Sequence, residues 1–172
     1  MLDAFLASLP AYARDVQRTL GACLADEALK PAQTWGCLIA GAQTLAFAPL
    51  TRAIEAECPL DPQTQEAAKG AAAVMAMNTL YFRAVHLMEN EDYRHRRAGI
   101  RMNALAPAGA AKSDVDLWCL VVAALNACGG CLDDHEKSLR DAGGAAEQAQ
   151  AAFKLAAALA GAVAVLRAEA AR

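Results

Sequence analysis

β-Branched residues never form a long alternating run in this chain, and the commonest residues are the good helix formers alanine, leucine, glutamate, glutamine and lysine. A half-buried sheet needs the first pattern and a helix the second, so the expected fold class is all-α. The start and stop signals divide the chain. Ser8 precedes Leu9-Pro10 and a helix predicted to run to about Leu24; Pro31 opens a second, ending near Cys58 with a break at Pro49. Asp61-Pro62 reads as a cap followed by proline at the first helical position, with the helix continuing to about Glu89. The charged segment ENEDYRHRRAG and a short stretch to Leu105 are irregular, and APAGAAK is a loop. Ser113 is the expected cap of the next helix, with Asp116 completing a capping box. Gly129-Gly130 should interrupt that helix; another begins near Cys131 and ends at Gly143-Gly144, and the last spans about Ala145 to Arg167.

A length of 172 residues suits one compact domain, 1–172. Hydrophobic residues make up 56% and charged ones only 20%, a balance that favours additional burial between subunits. A net charge of -3 argues against a nucleic-acid partner. The most apolar run, Leu155 to Leu166, is twelve residues, too short for a bilayer, and MLDAFLASLP lacks a basic n-region, so no membrane segment is expected and the cytoplasm is the default address. The segment 70–86 matches 121–136 around Asn78 and Asn126, each followed eight or nine residues later by histidine. That echo reads equally as a degenerate duplication, with the active-site half at about 113–172, or as chance between two alanine-rich helices.

The chemistry concentrates in ALNACGGCLDDHEKSL, residues 124–139. Cys128 and Cys131 form a C-x-x-C pair that could clamp a metal, staple the chain or carry redox chemistry. Structural zinc wants four ligands, usually two close pairs. No second pair exists here, and His135 with Asp133 or Asp134 would crowd four ligands into eight residues, so no metal is expected. Redox chemistry fits better. An ordinary cysteine is about 3% thiolate at pH 7; a pKa lowered to about 7 raises that to about half. Cys131 in the first turn of a helix gains from the partial positive charge there, and His135, one turn later on the same face, can take its proton. Cys128 is placed to attack an oxidised Cys131. Asp133, Asp134 and Glu136 read as first-turn acids that oppose the thiolate slightly. Cys37 and Cys119 lie in apolar runs and read as core residues; Cys23 and Cys58 take no assigned role, and His86 and His95 are read as structural. The basic cluster Arg94, His95, Arg96, Arg97 and Arg101 reads as a solvated loop, or as a surface that steers an acidic partner.

The run DLWCLVVAALNACGGCLDDHEKSLR, 116–140, resembles the active-site region of the alkylhydroperoxidase D (AhpD) family, within the carboxymuconolactone decarboxylase-like superfamily. The pattern is an acid, eleven residues, C-x-x-C, three residues and histidine, met here by Asp116, Cys128, Cys131 and His135. LPAYARDVQ, TWGCLIAGA, AAAVMAMNTLYFR and GIRMNALAPAG extend the likeness over nearly the whole chain. The resemblance implies a helical homotrimer and a lipoyl-dependent peroxidase with no bound cofactor. Such enzymes reduce organic hydroperoxides or serve an AhpC-type peroxiredoxin, and are recharged by dihydrolipoyl groups on a 2-oxoacid dehydrogenase component. Asp116 and His135 would then form the proton relay. The chain departs from the family at Asp116, where glutamate is usual, and at Gly130, where some members carry histidine. A lactone decarboxylase of the same superfamily, and a non-enzymatic redox-sensing trimer, are the alternative readings. One geometric constraint stands: twelve residues of straight helix span about 18 Å, so Asp116 cannot reach Cys128 along a single helix.

Overall fold

The computed structural model describes residues 2–107 and 109–171; Ala108, in the expected APAGAAK loop, lies outside the described residues. Among these the regular structure is wholly helical. The elements are α1 (Leu2–Ala7), α2 (Arg14–Leu24), α3 (Pro31–Leu45), α4 (Ala48–Glu55), α5 (Pro62–Leu87), α6 (Lys112–Leu125), α7 (Gly129–Asp141) and α8 (Ala146–Ala170), with 3-10 turns at Ala11–Ala13, Glu91–Tyr93 and Asn103–Leu105.

Helix α6 is the axis of the molecule. Val115 to Ala123 are buried without interruption, as expected of a helix that is apolar all round. α3, α5, α7 and α8 all pack against it, and α2 lies along α8. Leu38, Met75, Leu117, Trp118, Leu120, Leu155 and Leu159 fill the centre; each such side chain withdrawn from water contributes roughly 1.5–3 kcal/mol. Alanine permits close approach, and Gly36 is the tightest case: a Cβ there would lie 2.1 Å from Nε1 of Trp118. Buried Gln33 links three helices. Its Nε2 donates to Asp114 at 2.7 Å, while its Oε1 accepts from Gln148 at 3.2 Å and from the Lys30 amide at 3.0 Å.

Several boundaries differ from expectation. Ser8 closes α1 instead of opening a helix, its hydroxyl donating to the Phe5 carbonyl at 2.6 Å. The break after α3 falls at Ala46, in the left-handed region at φ 49°, and Pro49 sits in the first turn of α4, where its missing N–H costs nothing. Asp61 does cap α5, accepting from the Thr64 amide at 3.0 Å. Ser113 does not cap α6: the helix begins at Lys112 behind Ala111, and no side chain caps it. The apolar run of α8 belongs to a 25-residue helix that is long and apolar enough to cross a membrane; half of its most apolar window is buried against the rest of the protein, the burial expected of a core helix.

Candidate active site

The chain reverses between α6 and α7 in three residues, Asn126, Ala127 and Cys128. The reversal does not use the glycines. Ala127 takes the left-handed conformation at φ 51°, and Gly129 and Gly130 are the first two residues of α7 with ordinary backbone angles. α5 holds the turn from outside. Arg83 Nη1 donates to the Asn126 carbonyl at 2.6 Å, and Asn126 Nδ2 donates to Thr79 Oγ1 at 2.9 Å. The Cys128 amide reaches back to the Ala123 carbonyl at 3.0 Å.

This reversal places Cys128 at the N-cap of α7 and Cys131 in its first turn. The two are joined by a disulfide with a Cα–Cα separation of 5.3 Å. Both are buried, Cys131 at 6% exposure and Cys128 at 2%. The unpaired amides of the first turn lie beside Cys131 and favour a thiolate there. Because α7 starts at Gly129, Asp133, Asp134 and Glu136 fall beyond the first turn, so the opposition expected from first-turn acids does not arise.

Folding α7 back along α6 also resolves the distance problem. Asp116 reaches His135 across the hairpin, Oδ1 to Nδ1 at 2.9 Å. Asp116 is fully buried and also accepts from Lys112 Nζ at 2.5 and 2.6 Å; that ammonium donates in turn to Ser138 Oγ at 2.6 Å. Burial pushes the Asp116 carboxyl upward, but hydrogen bonds from His135, Lys112 and Ser138 and the Lys112 charge outweigh it, leaving the pKa below its ordinary value. The ionised carboxylate can only accept, so Nδ1 of His135 carries the proton and Nε2 is left as the base. His135 and Cys131 line the same small cleft.

Two clefts share Cys131. The larger, about 410 Å³, is lined by Phe82, Val85 and Leu87 of α5, Arg94, and both cysteines. His86 also lines it, so this histidine, read from sequence as structural, stands at the site. The smaller, about 210 Å³, is lined by Met75, Asn78, Phe82, Met102, Leu105, Cys131, Asp134 and His135. Sequence reasoning missed the part played by α5. It also missed Lys112, although a lysine four residues before Asp116 is the spacing that pairs charges on a helix. The remaining thiols differ from this pair. Cys37 and Cys119 are buried; burial pushes Cys37 strongly upward and Cys119 up to about 12. No cluster of three or more potential metal ligands occurs among the described residues.

Residues 91–171 match the carboxymuconolactone decarboxylase family. Over nearly its full length the chain is similar to proteins named alkyl hydroperoxide reductase AhpD. It is 41% identical over 172 residues to the one from Hyphomonas neptunium, covering 99% of this chain and 96% of that one. It is 43% identical over 173 residues to the one from Caulobacter vibrioides, covering 99% and 94%, and 44% identical over 161 residues to the one from a Methylobacterium species, covering 92% of each. The chain belongs to the AhpD family. Of its two departures from the AhpD pattern, the structure accommodates the first and gives no reason for the second. Asp116 is long enough, since its carboxylate already lies in hydrogen-bond contact with His135. At Gly130 an added Cβ would meet nothing within 4 Å, so glycine there answers no packing demand.

Proposed function

We propose that this protein is a lipoyl-dependent alkyl hydroperoxide reductase of the AhpD type, working in the reducing cytoplasm. The observation that carries the reading is the Asp116–His135 pair joining α6 to α7, with His135 lining one cleft with Cys131 and Cys128 already bonded to Cys131. In the reduced protein, Nε2 of His135 takes the Cys131 proton, and Asp116 stabilises the imidazolium through Nδ1. The Cys131 thiolate attacks the terminal oxygen of the hydroperoxide. An S–O bond forms, the O–O bond breaks, and the alkoxide leaves as the alcohol with the proton held by His135. Cys131 is then a sulfenic acid. Cys128 displaces its hydroxyl as water and closes the disulfide. A dihydrolipoyl dithiol attacks that disulfide, leaves both cysteines reduced and departs as the cyclic disulfide. Two electrons pass from dithiol to hydroperoxide in each cycle.

The larger cleft is lined by both cysteines, which supports entry of the dithiol there. Arg94, of the basic segment, lines it and supports charge-steered approach of a lipoyl-carrying 2-oxoacid dehydrogenase component. An AhpC-type peroxiredoxin disulfide is a second acceptor for the same thiol pair. A homotrimer is supported by a strip of α5: Ala73, Met77, Leu80, Ala84 and Leu87 recur at alternating steps of four and three and are all exposed, Leu80 at 65% and Leu87 at 74%. Such a seam favours cover by another copy. The proposal is tested by steady-state consumption of cumene hydroperoxide with dihydrolipoamide, thioredoxin and glutathione offered separately as reductants. Dihydrolipoamide should support the fastest turnover. Turnover with none of the three would refute the peroxidase reading, and preference for another donor would refute the lipoyl assignment.

A further inference from the structure

The disulfide has two unlike faces. Cys128 lines only the larger cleft, whereas Cys131 lines both. The smaller cleft is lined by apolar Met75, Phe82, Met102 and Leu105 and, beside Cys131, by polar His135, Asp134 and Asn78. Asn78 is 3% exposed, and its Oδ1 is a buried acceptor without a hydrogen-bond partner among the described residues. Buried amide oxygens are nearly always satisfied, and an orphan in a folded protein calls for an explanation. The neighbouring Thr79 donates to the Met75 carbonyl and accepts from Asn126, so satisfied bonding is available on this same turn of α5. The sequence echo around Asn78 and Asn126 therefore separates into two roles: Asn126 bonds the turn before the cysteines to α5, and the Asn78 Oδ1 stands unpaired at the reacting sulfur's cleft.

We propose that the smaller cleft is the hydroperoxide pocket, that it takes a compact organic hydroperoxide with an apolar alkyl or aryl group, and that Asn78 binds the reacting peroxide. This rests on the peroxidase reading above. The terminal O–H of the hydroperoxide donates to Asn78 Oδ1, which supplies the partner this oxygen lacks and turns the terminal oxygen toward the Cys131 sulfur. The organic group lies against Met75, Phe82, Met102 and Leu105. As the S–O bond forms and the O–O bond breaks, the terminal hydroxyl stays on sulfur, still held by Asn78, and the departing alkoxide takes the proton from His135. A volume of about 210 Å³ is below the range usual for drug-sized ligands, which selects for compact substrates. The dithiol uses the other cleft, so Asn78 takes no part in reduction of the disulfide.

Two half-reactions separate these roles. Reduced wild type and Asn78→Leu are mixed with cumene hydroperoxide and the loss of thiols is followed; the oxidised proteins are then mixed with dihydrolipoamide and the return of thiols is followed. Oxidation should slow about tenfold or more in Asn78→Leu, the scale of one lost buried hydrogen bond, while reduction stays within about twofold of wild type. The melting temperature should hold or rise, because the unpaired oxygen is gone. Asn78→Ser, smaller and still polar, should lie between the two and carries the test if leucine distorts α5. A folded variant that oxidises at the wild-type rate overturns the proposal. So does equal loss in both half-reactions, which marks a structural role. Wild-type thiols that survive the hydroperoxide refute the peroxidase reading itself, and the assignment of Asn78 with it, so the two failures are distinguishable.

Discussion

Replacing Asp116 with asparagine isolates what the carboxylate does for His135. The geometry leaves the fold nearly intact: asparagine has the same shape, and Lys112, whose side chain is 57% exposed, can turn to water when its partner loses charge. What changes is His135. Its Nδ1 now faces a neutral amide at about the position of the 2.9 Å contact, and that amide can donate as readily as accept. If it donates, the imidazole proton moves to Nε2 and the base facing the cleft is lost. If it accepts, the imidazolium formed during thiol ionisation still lacks its counter-charge. A hydrogen bond between charged groups is worth roughly 1.5–3 kcal/mol, and His135 is only 17% exposed, so solvent replaces little of it. At about 1.4 kcal/mol per tenfold, oxidation of Cys131 at pH 7 should slow about 10- to 150-fold. The assay is the rate of thiol loss in reduced protein mixed with cumene hydroperoxide, from pH 5 to 10. The defect should shrink above about pH 8.5, where a thiol ionises unaided. Asp116→Glu, the residue usual in the family, should retain most of the rate. Superimposed pH profiles for wild type and Asp116→Asn would refute the relay.

Mild peroxide should remove two hydrogens from the peptide carrying Cys128 and Cys131, and mass analysis should find Cys37 and Cys119 unmodified in the folded protein because burial keeps them protonated; modification of either at a rate comparable to the pair would contradict that. Gly36→Ala should lower stability by about 1–3 kcal/mol, since its new methyl must displace Trp118; an unchanged melting temperature would show the indole can move freely. The Asp116 carboxyl titrates below its ordinary 3.8 in the folded chain. Its contribution is therefore complete above that value and lost as pH falls through the folded value, so Asp116→Asn should show a shallower acid loss of stability below about pH 4 than wild type. Asp26 and Asp61 shift the same way, so the comparison must be between these two proteins and not with a fixed slope.

The helical class and the positions of most helices were legible because they depend on local signals: Pro31, Asp61-Pro62 and Gly143-Gly144 each mark a boundary within a residue or two of where it falls. The errors arose where tertiary contacts override such signals. Ser113 and Asp116 have capping-box spacing, yet Lys112 offers Asp116 an ammonium and His135 a ring N–H, and the box does not form. Gly129-Gly130 look like a break, but Arg83 and Thr79 clamp Asn126, and the turn closes two residues earlier, at Ala127 in the left-handed region. Cys128, Cys131 and His135 could be chosen from their spacing, and Asp116 from the family resemblance. That Asp116 meets His135 could not, because the meeting depends on how sharply the chain reverses. Asn78, Phe82, Arg83 and His86 were invisible as site residues for a related reason: they come from α5, remote in sequence, and only packing brings them to the sulfurs.

The division of labour between the two sulfurs can be trapped in single-cysteine variants of the pair. Reduced Cys128→Ser and Cys131→Ser proteins are each treated with one equivalent of cumene hydroperoxide, and the products are mapped by mass. Cys128→Ser should gain one oxygen on Cys131 and release one equivalent of the alcohol, with no disulfide formed within the chain. Cys131→Ser should leave the hydroperoxide largely unconsumed, because Cys128 sits in the larger cleft without His135 beside it. Oxygen appearing on Cys128 at the faster rate, or equal consumption by both variants, would contradict the assignment of Cys131 as the sulfur that meets the peroxide.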